Sequence, residues 1–120
     1  MEKIKKLLLT KSVGLYINTL SYIAPDKAFG LAYKLFSNPR EGRLDTNNLP
    51  SVLQAAERET TTLDAHHFTT YRWTGDNTII FLAHGWESNA SRWEKLLPYL
   101  LKTGHTIVAV DAPAHGLSGG

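Results

Sequence analysis

The hydrophobic pattern changes period along the chain. Ile4, Leu7, Leu8, Leu15, Leu20 and Ile23 recur at spacings nearer to helical than to alternating, and the run stops at Pro25. This predicts a helix over residues 2–23 and a second over 26–36. Asn38-Pro39 ends the second, because a proline biases the residue before it away from helical torsions. Arg40 to Asn48 is polar, contains Gly42 and reads as a linker. A third short helix is expected from Pro50, well placed at a first helical position, to about Glu59.

From residue 60 the character changes. Thr60–Leu63 and Phe68–Trp73 are rich in threonine and aromatics with Asp64-Ala65-His66-His67 between them, which reads as a β-hairpin. Thr74-Gly75-Asp76-Asn77 turns the chain into Ile79-Ile80-Phe81-Leu82-Ala83, and a second apolar run follows at Ile107-Val108-Ala109-Val110. Neither run alternates, as expected of parallel strands covered on both faces. Between them Ser91-Arg92-Trp93-Glu94 has the capping-box pattern, and Trp93, Leu96, Leu97, Leu100 and Leu101 keep helical spacing up to Gly104. Residues 78–111 therefore read as a β-α-β unit.

Each of these two strands releases a loop with a His-Gly pair, His84-Gly85-Trp86 and Asp111-Ala112-Pro113-Ala114-His115-Gly116-Leu117-Ser118. Loops at the carboxyl ends of parallel strands line the crevice where α/β proteins place their chemistry. The arrangement Leu82 to Trp86, then Arg92-Trp93, then Val108 to Ser118 resembles the N-terminal half of an α/β-hydrolase of the lipase, esterase and peptidase type, over about residues 60–120. The fold class it implies is α/β, the N-terminal half of an α/β-hydrolase sheet. About four strands are expected, a β-hairpin and then β-α-β, after a helical N-terminal extension. Residues 1–59 would be that extension and 60–120 the incomplete hydrolase domain.

The resemblance also implies roles. The loop after the third strand gives one backbone N–H to the oxyanion hole, and by position that donor is Trp86. His84 and Gly85 would shape the turn, glycine permitting torsions and close approach that a side chain blocks. Asp111, Pro113, His115, Gly116 and Ser118 would form the largely architectural loop after the fourth strand. The second oxyanion N–H would come from the residue after the nucleophile. Triad order in this fold is nucleophile, acid, histidine, so neither His84 nor His115 is expected to be the base.

Gly116-Leu117-Ser118-Gly119-Gly120 satisfies the expression G-x-S-x-G, but its context is wrong for a nucleophile elbow. The strand has ended near Asp111, Pro113 interrupts it, and no helix-forming residues follow. Ser118 reads as a loop serine or helix N-cap. The expectation is thus an N-terminal portion of a hydrolase acting on ester-like acyl bonds of a small-molecule substrate. Its nucleophile, acid and base would lie beyond residue 120, and these 120 residues alone would be inactive. A non-catalytic hydrolase-like binding module and a membrane-associated interaction protein are the alternatives.

Composition narrows these choices. With 42% hydrophobic and 20% charged residues the chain falls in the ordinary globular range, and a net charge of +2 gives no reason to invoke nucleic acid. The absence of cysteine removes a disulfide framework and a thiolate nucleophile, and suits a cytoplasmic location. Thr10, Lys11 and Ser12 break the apolar run after Leu9, which argues against a secretory signal and against a membrane span. The first helix is read as an amphipathic helix packed on the hydrolase body. Peripheral contact with anionic lipid through residues 1–24, using Lys3, Lys5, Lys6 and Lys11, is the other reading. His66 and His67 are adjacent and would point to opposite faces of a strand, so no metal site is expected, and no cofactor is implied. Of the tryptophans, Trp93 reads as core and Trp86 as pocket lining.

Overall fold

Tyr71 and Ile107, both fully buried, lie on neighbouring strands at the centre of a four-stranded mixed sheet. The computed structural model describes residues 1–120. Its strands are β1 (Glu57–Leu63), β2 (His66–Trp73), β3 (Ile79–Ala83) and β4 (Thr106–Asp111), in the order β1-β2-β4-β3. β1 and β2 form the hairpin and β2 pairs antiparallel with β4, whereas β3 and β4 run parallel, Leu82 opposite Ala109. The architecture is α/β, helices first and then the four-stranded mixed sheet.

β4 is fully buried on one face, at Ile107, Ala109 and Asp111, whereas on the other Thr106 is buried and Val108 and Val110 are only half-buried. Its neighbour departs from the expectation of a fully covered strand: Leu82 is buried but Ile79 and Phe81 are exposed. β3 is an edge strand in this sheet, and an apolar sequence does not by itself supply the layer that would cover it.

The short connections also differ from expectation. The helix after Pro50, α3, runs only Ser51–Gln54, because the following residues are taken by the sheet: Glu57 pairs with Arg72 and Glu59 with Thr70. Long-range ladder bonds and an opposite-charge pair override the local helical tendency. The crossover between β3 and β4 is a 3₁₀ turn at Ala90–Trp93 and then α4 at Leu97–Leu101. Pro98 explains the break, since it donates no N–H and its ring clashes with the carbonyl four residues back. Ser91 does not cap; the Asn89 side chain does, accepting the Ser91 N–H at 2.9 Å. Leu97 still points fully inward.

Leu49, Leu53, Tyr71, Trp73, Leu82, Ala90, Leu97, Ile107 and Ala109 form one core. The Trp73 indole donates to the Val52 carbonyl at 3.1 Å, which fastens the segment after the linker to β2. The chain therefore separates at Asn38 and Pro39, into Met1–Asn38 and Pro39–Gly120. Residues 39–59, grouped by sequence with the helical extension, belong with the sheet. The first unit is a helical hairpin, α1 (Glu2–Ile23) and α2 (Pro25–Ser37), within a residue of the sequence expectation at each end.

Candidate active site

The two His-Gly loops leave the carboxyl ends of the parallel pair β3 and β4 and bind each other. His84 Nε2 accepts the Ala112 N–H at 2.9 Å, while its Nδ1 lies 2.7 Å from the Gly85 carbonyl. In the other direction His115 Nε2 accepts the Glu87 N–H at 2.9 Å, and its Nδ1 lies 2.8 Å from the Pro113 carbonyl. Each ring is therefore the neutral tautomer with the proton on Nδ1, since Nε2 faces a donor and Nδ1 an acceptor. The rings are 5.2 Å apart, and Trp86 meets His115 edge-on at 5.1 Å.

Asp111 closes β4 with a fully buried carboxylate. Its Oδ1 accepts the Ala90 N–H at 2.8 Å, and its Oδ2 accepts the Tyr71 hydroxyl at 2.7 Å and the Leu117 N–H at 3.0 Å. Three donors are what a buried carboxylate needs in place of water. Burial first, then the hydrogen bond and charge of Asp111, push the Tyr71 hydroxyl well above its ordinary range, with Arg58 acting weakly in the opposite direction. The phenol stays a donor. Gly116, at φ +50°, passes so close to the Asp111 carboxylate that a Cβ there would collide with it.

Ser118 is buried, and its hydroxyl is committed on both sides. Oγ donates to the Asp111 carbonyl at 2.6 Å and accepts the Thr69 N–H at 2.8 Å. It sits on no strand-to-helix elbow.

The segment read as a linker is the third wall of this junction. Arg43 bridges to Gly116, the Gly42 carbonyl accepts the Gly116 N–H at 2.6 Å and the Asn89 amide at 3.1 Å, and the Arg43 guanidinium reaches the Ser118 and Gly120 carbonyls. A Cβ at Gly42 would strike the Glu87–Ser88 backbone. Sequence reasoning missed Gly42, Arg43, Asn89 and Tyr71. Gly42 was the visible signal, a glycine in a polar stretch, but its partners lie far along the chain.

Gly85 is placed differently from expectation. It is absent from the positive-φ residues, and a Cβ there would meet nothing within 4 Å. The left-handed residues of the two loops are instead Glu87 at φ 53°, Ala114 at φ 62° and Gly116. His84, Gly85 and Trp86 are brought together at the loop tip, with the Trp86 side chain about half exposed. An open cleft of about 550 Å³ lies beside this tip, lined by Gly42, Glu87, Asn89 and Trp93 among others, and none of the three tip residues lines it. Trp93 packs against the core, and its indole N–H is buried without a partner.

Elsewhere, His67 Nδ1 lies 3.0 Å from the Thr62 hydroxyl, and the His105 ring contacts the Asp76 carboxylate at 2.9 Å. The Thr78 N–H and then His105 hold the Asp76 carboxyl below its usual range.

A parallel strand pair whose carboxyl-end loops are tied across a crossover is the frame of an α/β fold. Among solved structures, a thioesterase domain from the curacin biosynthetic pathway is similar, with a TM-score of 0.50 and 21% identity over 54% of this chain. The match spans 24% of that domain, so this chain corresponds to about a quarter of its length. No family model matches the sequence, and no curated protein matches it.

Proposed function

We propose that this chain supplies the oxyanion loop and opening strands of an enzyme that hydrolyses ester-like acyl bonds of small molecules by nucleophilic catalysis. The observation that carries this reading is the clasped pair of loops at the carboxyl ends of β3 and β4, with Trp86 at the tip. Hydrolysis of an acyl bond passes through a tetrahedral intermediate whose oxygen becomes an anion. The Trp86 backbone N–H would hold that anion together with an amide next to the nucleophile, and one such donor is worth about 3 kcal/mol of transition-state stabilisation. Rigid anchoring of the loop supports the role, because a donor stabilises developing charge only if it is already aimed.

The nucleophile, acid and base are assigned to chain beyond Gly120. The double commitment of the Ser118 hydroxyl, and the use of the His84 and His115 rings in loop contacts, argue against recruiting them.

The test is to recover the protein from its native cell with an antibody raised against these 120 residues, treat it with a serine-directed fluorophosphonate, and record intact mass. A labelled species well above 13.4 kDa, modified outside residues 1–120, is expected. Label on Ser118 would overturn the assignment of the nucleophile. A heavy species that takes no label and turns over no acyl ester or thioester would overturn the enzyme reading in favour of a binding module.

A further inference from the structure

The helical hairpin Met1–Asn38 carries more apolar surface than its two helices use on each other. On α1 the half-buried positions Val13, Ile17 and Leu20 share one side, and on α2 the most buried are Ala28, Leu31, Ala32 and Leu35. α1 and α2 pack together, so these positions account for the contact within the hairpin. A second stripe on α1, roughly opposite the first by helical spacing, holds Ile4, Leu8, Leu15 and Tyr22, all between 59% and 90% exposed. α2 adds Phe29, Tyr33 and Phe36, again exposed, with the Phe29 and Tyr33 rings stacked at 6.3 Å. Leu7, Leu9, Tyr16 and Ile23 are exposed as well, so α1 leaves apolar surface open beyond the side it packs on α2.

Charge says what covers the open stripe. Residues 1–38 hold six lysines against Glu2 and Asp26, whereas residues 39–120 hold seven cations against nine acids. The positive charge of the chain is therefore concentrated on the hairpin, with Lys3, Lys5, Lys6 and Lys11 in the first half of α1 and Lys27 and Lys34 on α2. Exposed leucine, isoleucine and aromatic side chains on helices that also carry lysines are the chemistry of a segment lying in the interface of an anionic bilayer. Long lysine side chains carry the ammonium to the headgroups while their stems stay with the acyl chains. No helix is long and apolar enough to cross a membrane, so the bilayer contact open to the hairpin is with the surface.

We infer that the Met1–Asn38 hairpin docks the protein on anionic lipid bilayers through Ile4, Leu8, Leu15, Tyr22, Phe29 and Tyr33, with its lysines at the headgroups. The inference is independent of the hydrolase reading.

Flotation of the full 120-residue chain with vesicles tests it, comparing phosphatidylcholine alone with phosphatidylcholine containing phosphatidylglycerol. The chain is expected to float with the anionic vesicles, less so as salt rises. Replacing Lys3, Lys5, Lys6 and Lys11 with Gln should weaken the partition by more than about tenfold, since each lysine near an anionic surface contributes several-fold. Leu8→Ser with Leu15→Ser and Tyr22→Ser should weaken it with all lysines present. Because these side chains are exposed, circular dichroism should show helix content unchanged in both variants. Failure to float with anionic vesicles, or equal flotation with neutral ones untouched by the lysine changes, would overturn the inference. So would a dimer that the Leu8, Leu15 and Tyr22 changes dissociate without altering flotation, since a second copy would then be the occupant.

Discussion

His84 and His115 tie the same two loops in opposite directions, each giving its Nε2 to a backbone N–H of the other's loop, at 2.9 Å in both cases. His84 reaches forward from the β3 loop to Ala112, and His115 reaches back from the β4 loop to Glu87. The pair acts as a clasp because each bond fixes the segment that carries the other ring. Glu87 is held at φ 53°, a region a non-glycine residue occupies at a cost of about 1 kcal/mol or more, so its bond to His115 holds a strained residue in place.

From this, His115→Ala should destabilise the fold more than His84→Ala, because His115 is buried and its loss strands both the Glu87 N–H and the Pro113 carbonyl. The expected cost is about 2 kcal/mol for His115→Ala and about 1 kcal/mol for His84→Ala. The double variant should lose less than the sum, since the rings brace one clasp. Urea denaturation of the three variants and the parent chain measures this, and strict additivity would count against the clasp.

The glycines of the two His-Gly pairs separate just as sharply. Gly116→Ala adds a methyl where the Asp111 carboxylate already stands, at a positive φ, and should cost about 3 kcal/mol or prevent folding. Gly85→Ala meets open space without a left-handed torsion and should fall within about 0.5 kcal/mol of the parent. Thermal unfolding of the two variants side by side decides this, and equal costs would mean that Gly85 is also conformationally required.

What the sequence made legible follows the range of the contacts involved. The hairpin helices were readable because Pro25 and Pro39 stop them locally. The His-Gly loops were readable because an apolar strand delivers each one. The helix expected after Pro50 was cut short by pairing of Glu57 with Arg72, a partner its own neighbourhood does not reveal. Pro98, by contrast, was in plain view and breaks the crossover helix for a local reason that the leucine spacing masked. Gly42 and Arg43 passed as linker because every bond that gives them a role reaches Asn89 or the Gly116–Gly120 turn. Within the candidate site the positions of His84 and His115 were legible, but their reciprocal bonding required the two loops to be in space together.

Tyr71 gives the fold a defined alkaline limit. Its hydroxyl is raised above the unfolded value near 10, by burial first and then by the Asp111 bond. A group whose folded-state value is raised contributes stability that is fully present below the unfolded value and is lost as pH climbs toward the folded one. Stability should therefore fall from about pH 10 upward, as the unfolded chain gains from ionising a phenol that the folded chain must keep protonated. Tyr71→Phe should flatten this segment of the pH profile. It should also lower stability near neutrality, because Asp111 then loses one of its three donors in a buried site. Urea denaturation of the Tyr71→Phe variant across this pH range checks both effects, and an unchanged alkaline loss would assign that loss to other groups.

The proposed oxyanion donor leads to a ranking of variants in the proposed enzyme. Because the donor proposed at Trp86 is backbone, Trp86→Ala removes an exposed indole and its edge contact with His115 but leaves the N–H in place. Gly85→Val instead fills the open space at the loop tip, where the acyl oxygen would approach. The valine should lower kcat/KM by about a hundredfold, the scale on which one oxyanion donor matters, while leaving folding close to that of the parent. The alanine should cost less than about tenfold, mostly in KM, as loss of pocket contact does. Kinetics on a p-nitrophenyl ester, with unfolding measured on the same preparations, separates the two effects. If Trp86→Ala were the more damaging change in kcat, the indole itself would be acting at the reacting centre, and the backbone assignment would have to be abandoned.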